Sequence, residues 1–444
     1  MSTSLLLVVL VAVAYGATKI AFQWLGRHLL IVSGAEYLLL GLLLGPEVSG
    51  VLSRETLASF IPFMMLSLGW MGTMLGMRLY LPAMVRLRGV FYRVALAQSL
   101  ITLALVTGGS VVMFQWLFGM DPMHALAPAL VLGAVATGSA SDAVELIVRK
   151  LGRQSLVVRQ IEVAVGLDAV IAIVTLGLVL SLNHVPAPEL MRSPTAVEWG
   201  VITLAIGVIG GMLFHLFLGE ERDADRLFIS LAGAIVLMTG AAAYLQLSPL
   251  LSGLLLGSIL ANTSRNRAEI QQVLMRVERP LYFVLLLCGG AIWAPSTNSW
   301  ILPVAAFVAL RFLGKLGGAR MAARFNDMLP ILGPNWGRAL LGQGGLALAI
   351  GFSYLVQPNA VLPNLVFTAA VVSVLLTDLV SARLVNAAVG ASPEAARTSG
   401  AVEAPAEAAE PEAVRPESTA SEPPAREPSV PEPSAPEPSA PGAH

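Results

Sequence analysis

The sequence predicts an all-α integral membrane protein of about 13 transmembrane helices, arranged as inverted repeats with discontinuous helices 5 and 12. Three observations carry this expectation. The 444 residues are 56% hydrophobic and only 12% charged, with mean hydropathy +0.76, whereas soluble domains are about a quarter charged. Apolar runs long enough to cross roughly 30 Å of hydrocarbon recur along most of the chain. Lys and Arg fall almost entirely in alternate connections between those runs.

The runs cover residues 4–22, 29–46, 59–79, 91–117, 126–148, 160–182, 197–218, 227–245, 247–262, 279–294, 301–323, 339–356 and 363–386. Backbone polar groups in lipid must be satisfied within their own segment, so runs of this length form helices. The first has no basic leader and no small-x-small cleavage site before Lys19, so it reads as a retained helix and not a secretory signal. If the connection after it is cytoplasmic, cytoplasmic segments carry 20 Lys and Arg residues, and the opposite ones carry only Arg54 and Arg192. That bias predicts an N-terminus outside and a C-terminus in the cytoplasm; the expected location is a bacterial inner (plasma) membrane. Cys288 is the single cysteine and lies in an apolar run, so it forms no intrachain disulfide and says nothing of compartment.

The near-zero net charge of −1 averages two unlike regions. Residues 391–444 hold 10 of the 28 acids and 3 of the 27 basic residues, which leaves residues 1–390 basic by about six. The segment is rich in Ala, Pro, Glu and Ser and has no aromatic residue, so burial cannot offset its ordering entropy. It is expected to be a disordered cytoplasmic tail.

An internal echo supports the repeat. Gly41-Leu42-Leu43-Leu44-Gly45 in the second run returns as Gly253-Leu254-Leu255-Leu256-Gly257 in the ninth. A step of seven helices is odd, so the copies face opposite ways, as in an inverted-topology repeat. Gly138 and Gly345, and Asp168 and Asp378, recur at a similar separation.

Ionisable groups inside the membrane cost at least about 2.5–3.5 kcal/mol at a helix centre, so each needs a reason. The candidates are Glu36, Asp142, Glu145, Glu162, Asp168, Arg311, Lys315 and Asp378. Asp168 lies deep in the sixth run between apolar neighbours and suits a site that holds either a proton or a small hard cation. The alternative is a carboxylate neutralised by a basic residue on another helix. Lys315, with Arg311 one turn before it, is either a counter-charge near that site or a snorkelling side chain. Asp142 and Glu145 approach Arg149 and Lys150, which favours local pairing. Glu36 and Asp378 suit a cap or structural hydrogen bond, and Glu162 faces either Arg159 or, across the core, Lys315.

Two runs are interrupted by small and hydroxyl residues: Ala136-Thr137-Gly138-Ser139-Ala140-Ser141-Asp142 in the fifth and Gly342-Gln343-Gly344-Gly345 in the twelfth. Unwinding there frees carbonyls and half-helix ends to face an ion. Tight packing of small residues is the competing explanation. The chain shows no hydrolase triad, zinc ligand set or P-loop, so no enzymatic activity, cofactor or nucleic-acid partner is expected.

On these residues the chain resembles the monovalent cation:proton antiporter superfamily, the sodium/hydrogen exchanger family, over about residues 5–390. The matching features are Gly41 to Pro46, Val135-Ala136-Thr137-Gly138-Ser139, Asp168, Gly314-Lys315-Leu316-Gly317 and Gln343-Gly344-Gly345. The resemblance implies a homodimer in the lipid bilayer, with scaffold helices and a six-helix core around residues 126–182 and 301–386. It implies exchange of Na⁺ or K⁺ for H⁺, with Asp168 and Thr137 or Ser139 holding the ion. Lys315, Glu162, Arg311 and Gln343 would support that site. Leu167 stands where the family carries the first member of an acidic or amide pair, so a single Asp168 implies electroneutral exchange. The same departure leaves open a cation-coupled symporter, a uniporter or a transport-dead membrane sensor.

Overall fold

The structure is a computed structural model that describes residues 35–140, 144, 155–184, 194–218, 224–295 and 300–390. The expected first helix, Asp142, Glu145 and the tail lie outside the described residues, as do the side chains of Glu36 and Asp378. The described residues form α-helices and one 3₁₀ helix, with no strand among them. In order these are α1 (Ala35–Leu44), α2 (Arg54–Met77), α3 (Leu81–Val85), α4 (Gly89–Phe118), α5 (Pro122–Thr137), α6 (Leu156–Leu182) and α7 (Ala196–Leu218). There follow α8 (Ala224–Tyr244), α9 (Pro249–Thr263), α10 (Arg267–Ile292), α11 (Ile301–Phe325) and α12 (Leu329–Leu332). The 3₁₀ helix Trp336–Leu340, α13 (Gly344–Leu355) and α14 (Pro363–Gly390) complete the set. Six of the helices are long and apolar enough to cross a membrane.

Local chemistry sets several ends. Ser53, Ser155 and Ser248 cap α2, α6 and α9 by accepting from the backbone N–H of Thr56, Val158 and Leu251, and Asp121 caps α5 through Met123. Pro122 and Pro249 stand at first helical positions, where no N–H is needed. Gly119 ends α4 in the left-handed region, at φ +61°. Hydropathy places the tenth run at 279–294, but α10 begins at Arg267. The added turns are amphipathic, burying Ile270, Val273 and Leu274 while Glu269 and Arg276 stay exposed. Mean hydropathy misses such a segment although its helical period is plain.

The glycine echo has a structural meaning. Gly253 and Gly257 of α9 press onto α2, where a Cβ would lie 2.2 Å from Gly69 O and 2.0 Å from Thr73 O. Gly41 and Gly45 of α1 press in the same way onto α10, at 1.9 Å from Leu287 O and 2.7 Å from Ala291 O. An inverted repeat that maps the second run onto the ninth also maps the third onto the tenth. The α1–α10 and α9–α2 contacts are then one contact used twice. The fourth and eleventh runs are likewise partners, and α4 crosses α11 directly. There Gly314 meets Thr102 and Gly318 meets Ile101.

The two interrupted segments meet in a backbone hydrogen bond. α5 stops at Thr137, and Gly138–Ala140 continue outside any helix. On the other side, residues 341–343 separate the 3₁₀ helix from α13. The Ala140 N–H donates to Gly342 O at 2.8 Å, joining the two non-helical stretches. Gly344 opens α13 at φ +62°, a conformation that disfavours other residues, and its neighbour Gly345 lies under the Tyr282 ring.

The backbone contact at Gly257 leaves no room for a side chain. Gly257→Val is expected to destabilise the purified protein by about 1–3 kcal/mol or more through overpacking. Gly108→Ala, where a Cβ meets nothing within 4 Å, should leave thermal unfolding in detergent unchanged. Equal melting temperatures for the two variants would contradict this packing.

Candidate functional site

Asp168 lies on the buried face of α6, with Ala164 and Ala172 one turn to either side. Those small residues leave space around the carboxylate, which has no solvent exposure. Lys315 projects from the buried face of α11 that also carries Phe307, Arg311 and Gly318. It too is fully buried, and its Nζ lies 2.7 Å from Asp168 Oδ2. Lys315 therefore turns into the protein and does not snorkel. The 3₁₀ helix holds this part of α11 in place. The Trp336 indole donates to Ala319 O at 3.0 Å, and a Cβ on Gly337 would lie 2.7 Å from Lys315 O.

An ammonium has three donors, and all three are engaged. Besides Asp168, Nζ donates to Thr137 O at 2.6 Å and Ser139 Oγ at 2.9 Å. Thr137 O is available because the chain leaves the helix at Gly138, so no further turn claims the carbonyl. The partial negative charge at a helix C-terminus adds to its attraction for a cation. The Thr137 hydroxyl bonds back to Gly133 O at 2.8 Å, so Thr137 reaches the site through its backbone and Ser139 through its side chain. Ser139 Oγ also lies 2.6 Å from Asp168 Oδ2 and 3.1 Å from Leu340 O. Burying an ion pair is costly unless its remaining hydrogen-bonding groups are satisfied; here they are met by the Thr137 carbonyl and by the hydroxyls of Ser139 and of Ser99 on α4.

The other predicted residues take different places. With its donors committed, Lys315 does not pair with Glu162, which is half-buried on α6. Arg311 is fully buried one turn before Lys315. Gln343 ties elements together: its Nε2 donates to Val135 O at 2.7 Å and its Oε1 accepts from Ser373 Oγ. It thus links the interruption before α13 to α5 and α14. Leu167 packs beside the apolar cluster of Phe91, Ile161 and Trp336.

Sequence reasoning found α4 as the run 91–117 but missed its contribution to the site. Ser99 is fully buried, and its Oγ lies 2.6 Å from Asp168 Oδ1. Gln98 and Thr102 beside it are also fully buried. A signal was present: three polar side chains, Gln98, Ser99 and Thr102, within two turns of an otherwise apolar run.

Inverted repeats with crossed, interrupted helices and a charged site between them occur in secondary transporters. The chain shares its fold with a sodium proton antiporter. The sodium proton antiporter MjNhaP1 from Methanocaldococcus jannaschii, in its structure at pH 8, matches with a TM-score of 0.63 and 14% sequence identity. That match covers 88% of this chain and 97% of the other. An electron-microscopy structure of the same antiporter matches with a TM-score of 0.61 and 12% identity, covering 87% and 98%. At this identity the likeness establishes the fold. No protein-family profile and no curated protein matches the chain.

The buried pair should behave as a unit. Lys315→Met, leaving a lone buried carboxylate, is expected to cost about 3–5 kcal/mol. Adding Asp168→Asn should recover a large part of that loss, a non-additivity visible as a higher melting temperature in the double variant. Strict additivity in this cycle would show that the two groups are not coupled.

Proposed function

We propose that this chain is a secondary active transporter that exchanges a monovalent cation, Na⁺ or K⁺, for H⁺ across the membrane. The observation that carries the reading is the fully buried Asp168–Lys315 pair beside the non-helical stretches that follow α5 and precede α13. Intramembrane charges cluster on ion pathways, because a purely structural role does not require their cost.

In this reading Lys315 occupies the place of the cargo. Its ammonium, a monovalent cation, is held by Thr137 O, Ser139 Oγ and Asp168 Oδ2. An arriving Na⁺ or K⁺ takes over those oxygens, and the displaced Lys315 ammonium gives up its proton to the aqueous side and becomes a neutral amine. When the cation departs on the other side, a proton returns and the ion pair re-forms. One cation moves against one proton, so the exchange is electroneutral, and Leu167 removes the second acid that would change the count. The core moves as α4–α6 with α11–α14, against a scaffold of α1, α2 and α7–α10 that forms the homodimer. The tail at 391–444 is cytoplasmic and takes no part in the exchange.

In proteoliposomes, Na⁺ or K⁺ pulses should drive proton movement with the wild-type protein, and Asp168→Asn should abolish it. Robust flux in Asp168→Asn would sink the assignment, and cation uptake without proton movement would point to a uniporter or symporter. An imposed membrane potential should leave the wild-type rate unchanged if exchange is one for one. Removal of residues 391–444 should leave the flux within about twofold of wild type, since a segment of this composition adds no packed structure.

A further inference from the structure

We propose that Ser99 is an additional cation ligand, supplied by α4 from outside the interrupted pair, and that it works by reversing its hydrogen bond. The inference rests on the exchange reading above and adds one group to the same site. Lys315 and Ser139 both meet Asp168 Oδ2, whereas Ser99 meets Oδ1 at 2.6 Å. The two serines thus flank the two oxygens of one carboxylate.

A serine hydroxyl has one proton and two acceptor lone pairs. Three acceptors surround the Ser99 proton: Asp168 Oδ1 at 2.6 Å, Ala95 O at 2.9 Å and Gln98 Oε1 at 3.3 Å. Gln98 is held in this orientation because its Nε2 reaches Thr102 Oγ1 at 3.5 Å, which leaves Oε1 toward Ser99. Buried serines elsewhere in the bundle bond back to the preceding turn, as Ser353 does to Ala349 and Ser181 does to Gly177. Ser99 has the same option in Ala95 O, yet it also lies against the carboxylate. Its proton therefore has two destinations that a rotation about Cβ–Oγ interconverts.

The consequence is a group that serves either occupant. While Lys315 holds Oδ2, Ser99 donates to Oδ1. When a cation sits at the carboxylate, the Ser99 proton turns to Ala95 O and a lone pair faces the cation, without movement of α4. Ser139 has the matching alternative in Leu340 O at 3.1 Å. Oxygen number and field strength govern discrimination among monovalent cations, so the loss of Ser99 should weaken the smaller ions most.

The test is direct binding of radioactive Na⁺ to the purified full-length protein, with K⁺ and Li⁺ as competitors. Proton flux in proteoliposomes is measured beside it. Ser99→Ala should weaken Na⁺ and Li⁺ binding about tenfold and K⁺ binding less, while flux at saturating cation falls by no more than about twofold. Ser99→Thr, which keeps the hydroxyl, should bind within about threefold of wild type. Should Ser99→Ala fold poorly, Ser99→Cys keeps the volume, lacks a hard oxygen ligand and should show the same weakening. Wild-type affinity in the Ala or Cys variant, or a uniform loss of maximal flux with unchanged affinity, overturns the proposal and leaves exchange standing. Cation binding by the wild type without coupled proton movement removes exchange while retaining Ser99 as a ligand. A wild-type protein that binds none of the three cations removes both.

Discussion

A full negative and a full positive charge meet at 2.7 Å with no solvent exposure, between Asp168 on α6 and Lys315 on α11. Much of the surrounding structure makes that meeting tolerable. Neither ion is stable in an apolar interior unless its other hydrogen-bonding groups are also met. The carboxylate takes hydroxyls from α4 and from the stretch after α5, and the ammonium takes the carbonyl that α5 exposes where it stops. The break in α5 is thus part of the solvation of the pair. An uninterrupted helix would have tied the Thr137 carbonyl into its own ladder.

The rest of the bundle is built on a different economy. α2 with α9, and α1 with α10, touch through glycines whose missing side chains let backbone meet backbone. Lipid supplies no hydrophobic drive between helices, so close packing of this kind is what holds them together. The paired use of one contact gives the two halves of the chain matching frames. The contact of α4 with α11 brings Ser99 and Lys315 to the same carboxylate from two helices.

Much of this was legible in the residues. Run lengths gave the helices, and the cost of membrane charges singled out Asp168 and Lys315. The small-residue stretches marked both interruptions. The sequence left Lys315 with two possible acidic partners and a third course in snorkelling, because intramembrane charge is visible in one dimension and its direction around the helix is not. Ser99 was passed over for another reason: a hydroxyl can satisfy itself on its own helix, so the polar cluster around it carries far less weight than a membrane charge. α10 ran past its expected start because hydropathy averages over the faces of an amphipathic helix. For Thr137 and Ser139, both of which reach the site, spacing could not show which contributes a side chain and which a carbonyl.

The complete engagement of the Lys315 ammonium bears on slippage, the futile return of an empty carrier. Under the proposed exchange, a core loaded with either a proton or a cation holds balanced charge at Asp168. A core stripped of both is left with a carboxylate that two hydroxyls still bond but no cation balances, in a medium where such a charge costs several kcal/mol. That form is poorly suited to cross. Tight coupling would then come from electrostatics already present in the resting pair, with no separate latch needed to forbid the unloaded stroke.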